Sequence, residues 1–336
     1  MSERSERTDG RSSEHSERTS GHSSERTDGP SGERSELTNG PGSERSSGLV
    51  LVDKPAGWTS HDVVGRVRRL ARTRRVGHAG TLDPMATGVL VLGVERATRL
   101  LGHLALRDKS YLATVRLGQS TVTDDAEGDV LHAASAAAVT EEDVRAWLAG
   151  MTGEIDQVPA AVSAVKVAGQ RSYARVRAGE RPDLPARRVI IDELALLALR
   201  RPGPDLLDCD VAVTCSSGTY VRAIARDLGA ALGVGGHLTA LRRTRVGGFR
   251  LADCRRLEEL AELPDPVTIG LDEAVSAGFA RRDVGAEQAR VLAHGGRLAP
   301  AGIAGTYGVF GPDGAVVALV EERDGAGRPV VVLRPA

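Results

Sequence analysis

The sequence has little of what a secreted, membrane-spanning or metal-centred protein needs. Its three cysteines, Cys209, Cys215 and Cys254, form neither a CxxC pair nor an even set, which argues against a disulfide framework and a structural zinc site. No apolar run approaches the roughly 20 residues of a membrane helix, and the polar N-terminus lacks the apolar segment of a signal peptide. The sequence therefore predicts a cytoplasmic protein, for which a monomer is the default expectation.

Net charge is nearly absent as well, at −1, but the charges are unevenly distributed. Residues 1–47 hold 7 arginines and 10 acidic residues, which leaves 37 basic and 35 acidic side chains in the rest of the chain. A stretch without any acid contains Arg66, Arg68, Arg69, Arg72, Arg74 and Arg75, and a later cluster contains Arg242, Arg243, Arg245 and Arg250. Like charges at helical spacing repel unless an anion neutralises them. These clusters indicate either solvated surfaces or, as we favour, phosphate-binding surfaces for nucleic acid.

Residues 1–47 have almost no apolar side chains. They repeat Ser, Glu, Arg, Thr and Gly in near-copies that begin at Ser5, Ser16, Ser24 and Ser35. Such a composition cannot build a core, so this segment is predicted to be a disordered, mixed-charge tail. It is either a solvating extension or the product of a start site assigned too far upstream.

From residue 48 onward, the hydrophobic pattern predicts intermixed strands and helices. Ser60 is the expected N-cap of a first helix, and Thr140 with Asp143 resembles a capping box. A helix after Gly218 has an apolar face that leaves Arg222 on another side. A strand is expected to begin at Gly48, further strands are expected at 89–94, 110–117, 189–199 and 207–215, and a helix is expected near residues 97–106. Without a regular βαβ repeat, this order favours an α+β fold with a largely antiparallel mixed sheet and flanking helices.

The most informative segment is residues 77–88, GHAGTLDPMATG. Pro84 restricts Asp83 to extended conformations, while the flanking glycines permit close approach by another backbone. Asp-Pro between glycines is also common in ordinary turns. The complete string is far more specific, and it predicts a carboxylate held in a rigid, exposed loop.

This string closely resembles the catalytic motif of the TruB family of tRNA pseudouridine synthases. Further segments match in the family's order, and together they cover about residues 48–250: GLVLVDKP at 48–55, WTS at 58–60, KSY at 109–111, SAVK at 163–166 and SGTYVR at 217–222. The resemblance implies the pseudouridine synthase fold, with a catalytic domain at 48–279. It also implies a small β-rich, PUA-like RNA-binding domain at 280–336, which is shorter and more weakly matched.

The resemblance also implies the chemistry. Asp83 occupies the position of the nucleophile, Arg222 is expected to pair with it, and Tyr111 is expected to stack on the target uracil. A carboxylate in an apolar pocket tends to protonate, so a cation beside it keeps it ionised. Whether Asp83 attacks the sugar or first promotes glycal formation stays open at this stage.

Five further residues are implied to contact the substrate. His78 is expected to fill the space left by the flipped nucleotide and Tyr220 to form a wall of the pocket, while Lys54, Lys166 and Leu241 match other pocket or structural positions. The sequence departs from the family at Val162, where many relatives have tyrosine, which leaves this wall of the pocket in doubt.

The implied reaction is an isomerisation that needs no cofactor, consistent with the lack of a P-loop or a dinucleotide-binding fingerprint. No metal site is expected, since the acidic loop at 124–128 lacks EF-hand spacing and is better interpreted as structural or RNA-facing. The implied partner is the T-arm of tRNA, with position 55 of the T loop as the target and no obligatory protein partner. Two alternatives remain: a noncatalytic tRNA-binding or tRNA-folding protein, and the catalytic subunit of a guide-RNA particle.

Overall fold

A computed structural model describes residues 46–160, 166–167, 170–171 and 184–336. The helices are α1 Ser60–Leu70, α2 Leu101–Ala105, α3 Glu141–Gly150, α4 Val221–Ala231, α5 Leu257–Glu262, α6 Leu271–Gly278 and α7 Ala286–Ala293, with 3-10 turns at Glu95–Leu100 and Leu251–Asp253. The strands are β1 Gly48–Lys54, β2 Val76–His78, β3 Thr87–Val94, β4 Lys109–Leu117, β5 Gln119–Thr121, β6 Val130–Ala133, β7 Gly153–Gln157, β8 Lys166–Val167, β9 Gln170–Arg171, β10 Arg187–Gly203, β11 Leu206–Cys215, β12 Gly236–Val246, β13 Phe249–Arg250, β14 Ile269–Gly270, β15 Ala280–Asp283, β16 Tyr307–Phe310, β17 Val316–Arg323 and β18 Ala326–Val332. The side chain of Lys166 and the whole of Val162 lie outside the described residues.

One large sheet organises residues 48–270. Its strand order is β14-β1-β3-β12-β4-β11-β10-β7, with β2 paired to β3 and β13 paired to β12. Neighbours are antiparallel except β12 and β3, which run parallel where Arg242 and Arg243 meet Thr87 and Gly88. The predicted α+β class and its largely antiparallel sheet are therefore confirmed.

The start of α1 differs from the sequence-based prediction in a way that matters for the site. Thr59, not Ser60, is the N-cap, because its side chain accepts from the Asp62 amide while the Asp62 side chain accepts from the Thr59 amide. Ser60 is instead buried and contacts another loop. The helix buries one apolar face, which contains Val63, Val64 and Val67.

The paired strands β10 and β11 confirm the later strand predictions. Cys209 and Cys215 lie buried on one face of β11, and all three cysteines are free thiols. The capping box of α3, formed by Thr140 and Asp143, is also present. The helix expected near residues 97–106 is divided into the first 3-10 turn and α2.

A smaller four-stranded sheet, in the order β15-β16-β17-β18, forms the C-terminal region. Its own core contains Leu292 from α7 together with Tyr307, Val309 and Val320. A β-sheet domain at the C-terminus is thus observed, while its boundary at residue 280 and its RNA-binding role stay predictions. In the described part of the chain, no helix is both long and apolar enough to cross a bilayer.

Candidate active site

The Asp83 loop connects β2 to β3, and its backbone is fixed where it ends. Gly88 has φ +98°, and a Cβ atom there would lie 2.1 Å from the carbonyl oxygen of Arg243. Only glycine fits such a close crossing at this φ. Leu82 is buried, whereas the side chain of Asp83 is 34% exposed. The loop therefore presents its carboxylate to solvent from a fixed base.

Residues at the end of β1 and the start of α1 hold the loop on both sides of Asp83. The hydroxyl of Ser60 accepts from the amide of Leu82 at 2.9 Å and lies 3.1 Å from the carbonyl oxygen of the same residue. On the other side, the amide of Gly57 donates to the carbonyl of Pro84 at 2.8 Å. We call residues 54–60 the clamp, because they bind the residues before and after the nucleophile candidate.

Lys54 is the cation of the clamp. Its Nζ donates to the carbonyls of Pro55 at 2.9 Å, Trp58 at 2.5 Å and Pro84 at 3.1 Å, and the residue is fully buried. Burial lowers the pKa of Lys54 to about 8, although the charge of Asp83 acts in the opposite direction. With all three N–H groups directed at backbone carbonyls, Lys54 braces the loop, and its contact with a substrate stays a prediction.

Arg243 braces the loop from β12. It is 1% exposed, its Nε donates to the carbonyl of Val89 at 2.7 Å, and its Nη2 donates to that of Gly80 at 3.1 Å. The expectation that residues 242–250 form a phosphate-binding cluster is wrong for this residue, because its guanidinium is committed to buried carbonyls. Arg242 and Arg245 are also paired, with Asp53 at 2.7 Å and Asp108 at 2.6 Å.

Arg222, the second residue of α4, forms the central contact of the site. Its Nε lies 3.0 Å from Oδ2 of Asp83, and its Nη2 donates to Oδ1 at 3.1 Å. This two-point geometry is the strong form of an arginine–carboxylate pair. Arg222 is 5% exposed, so it is buried although it lies off the apolar face of α4. The reason is that its charge is neutralised inside the fold.

Sequence reasoning missed Asp125, which holds the other side of Arg222. The Nη1 of Arg222 lies 3.4 Å from Oδ2 of Asp125 and donates to the carbonyl of Thr123 at 2.9 Å. Asp125 is 3% exposed, and its own carboxylate accepts from the amide of Glu127 at 3.1 Å. The acidic pair at 124–125 was the available signal, but nothing in the sequence said which arginine it would meet.

A second ion pair lies one helical turn further along α4. Nη1 of Arg226 lies 3.6 Å from Oδ2 of Asp124, and its Nη2 contacts Asp227 at 2.8 Å. Burial raises the pKa of Asp124 to about 6, an effect that the charges of Arg226 and Arg222 only partly offset. The turn between β5 and β6 thus supplies one aspartate to each of two arginines that lie one turn apart on α4.

Two of the remaining predicted residues lie on neighbouring strands. Tyr111 on β4 is 8% exposed and stands opposite Arg243 of β12. Burial raises the pKa of the Tyr111 phenol, which is therefore neutral at physiological pH, although the Arg243 guanidinium favours the ionised form. Leu241 is buried on β12 opposite Ala113. Both side chains belong to the same hydrophobic core.

Tyr220 is half-buried at the N-cap of α4. Its amide donates to Oε1 of Gln157 at 2.8 Å, and Nε2 of Gln157 donates to its carbonyl at 3.1 Å. Gln157 is itself buried, so this pair of hydrogen bonds fixes the backbone from which both Tyr220 and Arg222 extend.

His78 is the last residue of β2 and is half-buried. Its ring makes an edge contact with the ring of His61, with the centroids 5.6 Å apart. Burial, followed by the neighbouring charge of His61, lowers the pKa of His78, which favours the neutral imidazole. Its Nδ1 is buried and has no hydrogen-bond partner among the described residues.

The structure therefore brings Asp83, Arg222 and the previously missed Asp125 into one network. Lys54 and Arg243 hold the loop that carries Asp83, with Tyr111 opposite Arg243 on the adjoining strand. Within the residues that the structure describes, no group of three or more His, Cys, Asp or Glu side chains could hold a metal ion. The chemistry available at this site is that of a partly exposed carboxylate paired at two points with a buried guanidinium.

Three family models match consecutive parts of the chain. The N-terminal domain of the TruB family pseudouridylate synthases matches residues 68–221. The C-terminal domain of tRNA pseudouridylate synthase B matches residues 222–268, and a model described as tRNA pseudouridine synthase II, C terminal, matches residues 279–334.

Similar proteins from bacteria align over nearly their whole length. The tRNA pseudouridine synthase B of Mycobacteroides abscessus is 58% identical over 290 residues, which are 86% of this chain and 97% of that protein. The protein of the same name from Thermobifida fusca is also 58% identical, with 85% of this chain and 98% of that protein covered. Among solved structures, a Cbf5-Nop10-Gar1 complex contains a chain with a TM-score of 0.65 and 24% identity, covering 87% of this chain and 86% of that one.

Proposed function

Since this chain belongs to the TruB family of pseudouridylate synthases, we propose that it converts a uridine of tRNA to pseudouridine, namely the T-loop uridine conventionally numbered 55. The N1–C1′ bond of the uridine breaks, a C5–C1′ bond forms, and the C5 proton is lost while N1 gains one. No atom or electron is gained or lost overall, so the enzyme is an isomerase and needs no cofactor for the chemistry.

The observation that carries this proposal is the Asp83–Arg222 pair. Both carboxylate oxygens of Asp83 face the guanidinium at 3.0–3.1 Å, while about a third of the side chain stays exposed. The two-point contact fixes the orientation of the carboxylate that would act as the nucleophile. Asp125 and Thr123 orient Arg222 from its other side, so the positive charge is placed before any substrate arrives.

Tyr111, His78, Tyr220 and Leu241 complete the proposed pocket. The uridine must leave its stack to expose C1′ and C5, and a flat side chain can replace the lost stacking. The neutral phenol of Tyr111 is suited to this contact, and we assign His78 to the space that the flipped nucleotide vacates. Lys166 remains a proposed substrate contact by resemblance alone.

For tRNA recognition, the exposed arginines of α1 and of the turn after it support phosphate contacts. Arg68, Arg69, Arg72, Arg74 and Arg75 are all exposed. We further propose that the C-terminal domain at 280–336 adds RNA contacts, and that the protein acts as a monomer in the cytoplasm without an obligatory protein partner. The high identity to tRNA pseudouridine synthase B proteins supports this over a noncatalytic or guide-dependent role.

The deciding experiment uses an unmodified tRNA transcript with the purified protein, and maps pseudouridine by carbodiimide adduct formation and primer extension. We expect a stop in the T loop with the wild-type protein and none with Asp83→Asn. Asp227→Asn is a matched control, because it also removes one charge from an arginine-paired aspartate and should leave the stop intact. Binding of tRNA without any stop would contradict catalysis and favour the noncatalytic alternative.

A further inference from the structure

An exposed tryptophan lies in the clamp beside the nucleophile loop. Trp58 is 37% exposed, whereas the other tryptophan, Trp147, packs against the main core. Aromatic residues make up only 3% of this chain, so an indole left open to water at this position calls for an explanation. Resting on the function proposed above, we propose that Trp58 stacks on an unpaired RNA base next to the target uridine.

The backbone of Trp58 is fixed relative to Asp83. Its carbonyl accepts from Nζ of Lys54 at 2.5 Å, and Lys54 also donates to the carbonyl of Pro84. The preceding residue, Gly57, adopts φ +79° and donates its amide to that same carbonyl. Trp58 is therefore linked to Pro84, the residue after Asp83, by two routes: through the side chain of Lys54 and through the amide of its neighbour Gly57.

The following residues strengthen this placement. Thr59 caps α1, and Ser60 hydrogen-bonds to Leu82 on the other side of Asp83. The clamp binds residues 82 and 84, on either side of Asp83. A base stacked on Trp58 would therefore lie at a nearly fixed position relative to Asp83. A rigid platform loses little conformational entropy when the base docks, which makes it an efficient contact.

The surroundings favour RNA as the occupant. His61 is exposed on the first turn of α1 and contacts His78, which we assign to the space of the flipped nucleotide. Further along, α1 presents the exposed side chains of Arg68 and Arg69. The aromatic rings lie close to the nucleophile, where unstacked bases would bind, and the guanidinium groups lie further along α1, where the phosphates of the same single-stranded loop could bind.

Intrinsic fluorescence tests the stacking directly, because the chain has only two tryptophans. In the Trp147→Phe variant, all tryptophan emission comes from Trp58, and a stacked base should quench it as unmodified tRNA transcript is added. The matched Trp58→Phe variant retains Trp147, whose emission should change little in the same titration. Adding Asp83→Asn to both variants keeps the RNA unreacted during the measurement.

Steady-state kinetics provide the second measurement. Stacking is worth about 1–3 kcal/mol per base, so Trp58→Ala should raise KM by about 5- to 150-fold. We expect kcat to change less than about threefold and Trp58→Phe to recover most of the loss. Thermal unfolding of each variant checks that the fold is retained.

Either of two results would overturn the proposal: unquenched Trp58 emission at saturating tRNA, or equal KM values for Trp58→Ala and wild type. If Trp58→Ala unfolds, the fluorescence result with Trp147→Phe decides alone. A failure of the proposed function is seen separately, as the absence of pseudouridine with the wild-type protein, because the quenching experiment requires no turnover.

Discussion

The arginines on the two sides of the Asp83 loop have opposite roles. On α4 and β12, Arg222 and Arg243 are almost completely buried and bind a carboxylate and backbone carbonyls. On α1 and in the turn after it, Arg69 and Arg72 are exposed and make no side-chain hydrogen bond or ion pair within the described part of the chain. The same residue type therefore builds the site on one side and is free to meet phosphate on the other, which a count of arginines in the sequence cannot show.

The largest effect should come from Arg222→Lys. A lysine keeps the charge but cannot contact both oxygens of Asp83 and also reach Thr123. Losing one preorganised electrostatic contact typically costs about 10²- to 10³-fold in kcat. Single-turnover pseudouridine formation measures this loss, with the exposed Arg145→Lys as control. A variant within threefold of wild type would show that the buried arginine is not part of the catalytic machinery.

Next, Arg243→Met should reduce stability as well as activity. The substitution leaves the carbonyls of Val89 and Gly80 buried without their donor, and each such group costs about 1–3 kcal/mol. For two such groups, we expect the free energy of unfolding in urea to fall by about 2–6 kcal/mol. Arg69→Met on the exposed side should leave it unchanged. Equal midpoints for these two variants would remove the contrast between buried and exposed arginines.

Asp125→Asn should have a smaller effect on catalysis than the loss of Arg222. The amide can still hydrogen-bond to Nη1 of Arg222, but the site loses the charge that helps to hold the guanidinium toward Asp83. We expect kcat to fall about tenfold, or about 1.4 kcal/mol, with KM nearly constant. A change confined to KM would assign Asp125 to RNA binding instead of the positioning of Arg222.

In the ion pair of Asp124 with Arg226, burial and the charge of the arginine shift the pKa of Asp124 in opposite directions. Burial raises its pKa to about 6 in the folded protein, against about 4 when unfolded, so the folded state binds more protons between these pH values. Stability contributed by this residue therefore falls as pH rises from about 4 to 6. Urea unfolding should show that the free energy of unfolding of the wild type falls between about pH 4 and about pH 6. In Asp124→Asn this fall should be smaller by about 1–3 kcal/mol. Parallel curves for the two proteins would contradict this assignment.

The smallest effect per residue is expected on the exposed side. Each of Arg69→Gln and Arg72→Gln should weaken tRNA binding only a few-fold, and should reduce the slope of log K against log salt concentration by about 1 if that arginine meets a phosphate. Arg145→Gln, which alters an exposed pair on α3, should leave the slope unchanged. Unchanged slopes for both the Arg69 and the Arg72 variant would mean that this surface is merely solvated.

Sequence patterns predicted what depends on local structure or on a complete motif. The α+β class, the strands with alternating side chains, the capping box at Thr140 and the pairing of Asp83 with Arg222 were all accessible in this way. The burial of Arg243 was not, because it depends on the parallel pairing of β12 with β3. The contact of Asp125 with Arg222 likewise joins residues almost 100 positions apart, and no local pattern encodes such a meeting.

That parallel pairing also has a consequence for synthesis on the ribosome. The Asp83 loop is complete at Gly88, but the carbonyl that crosses it and the guanidinium that braces it both belong to Arg243, 155 residues later. At roughly 5–20 residues per second, this gap lasts about 8–30 seconds. During that interval, the emerging chain carries the complete Asp83 loop without the residue that braces it, so competence to modify RNA should arise only as the last strands of the large sheet dock.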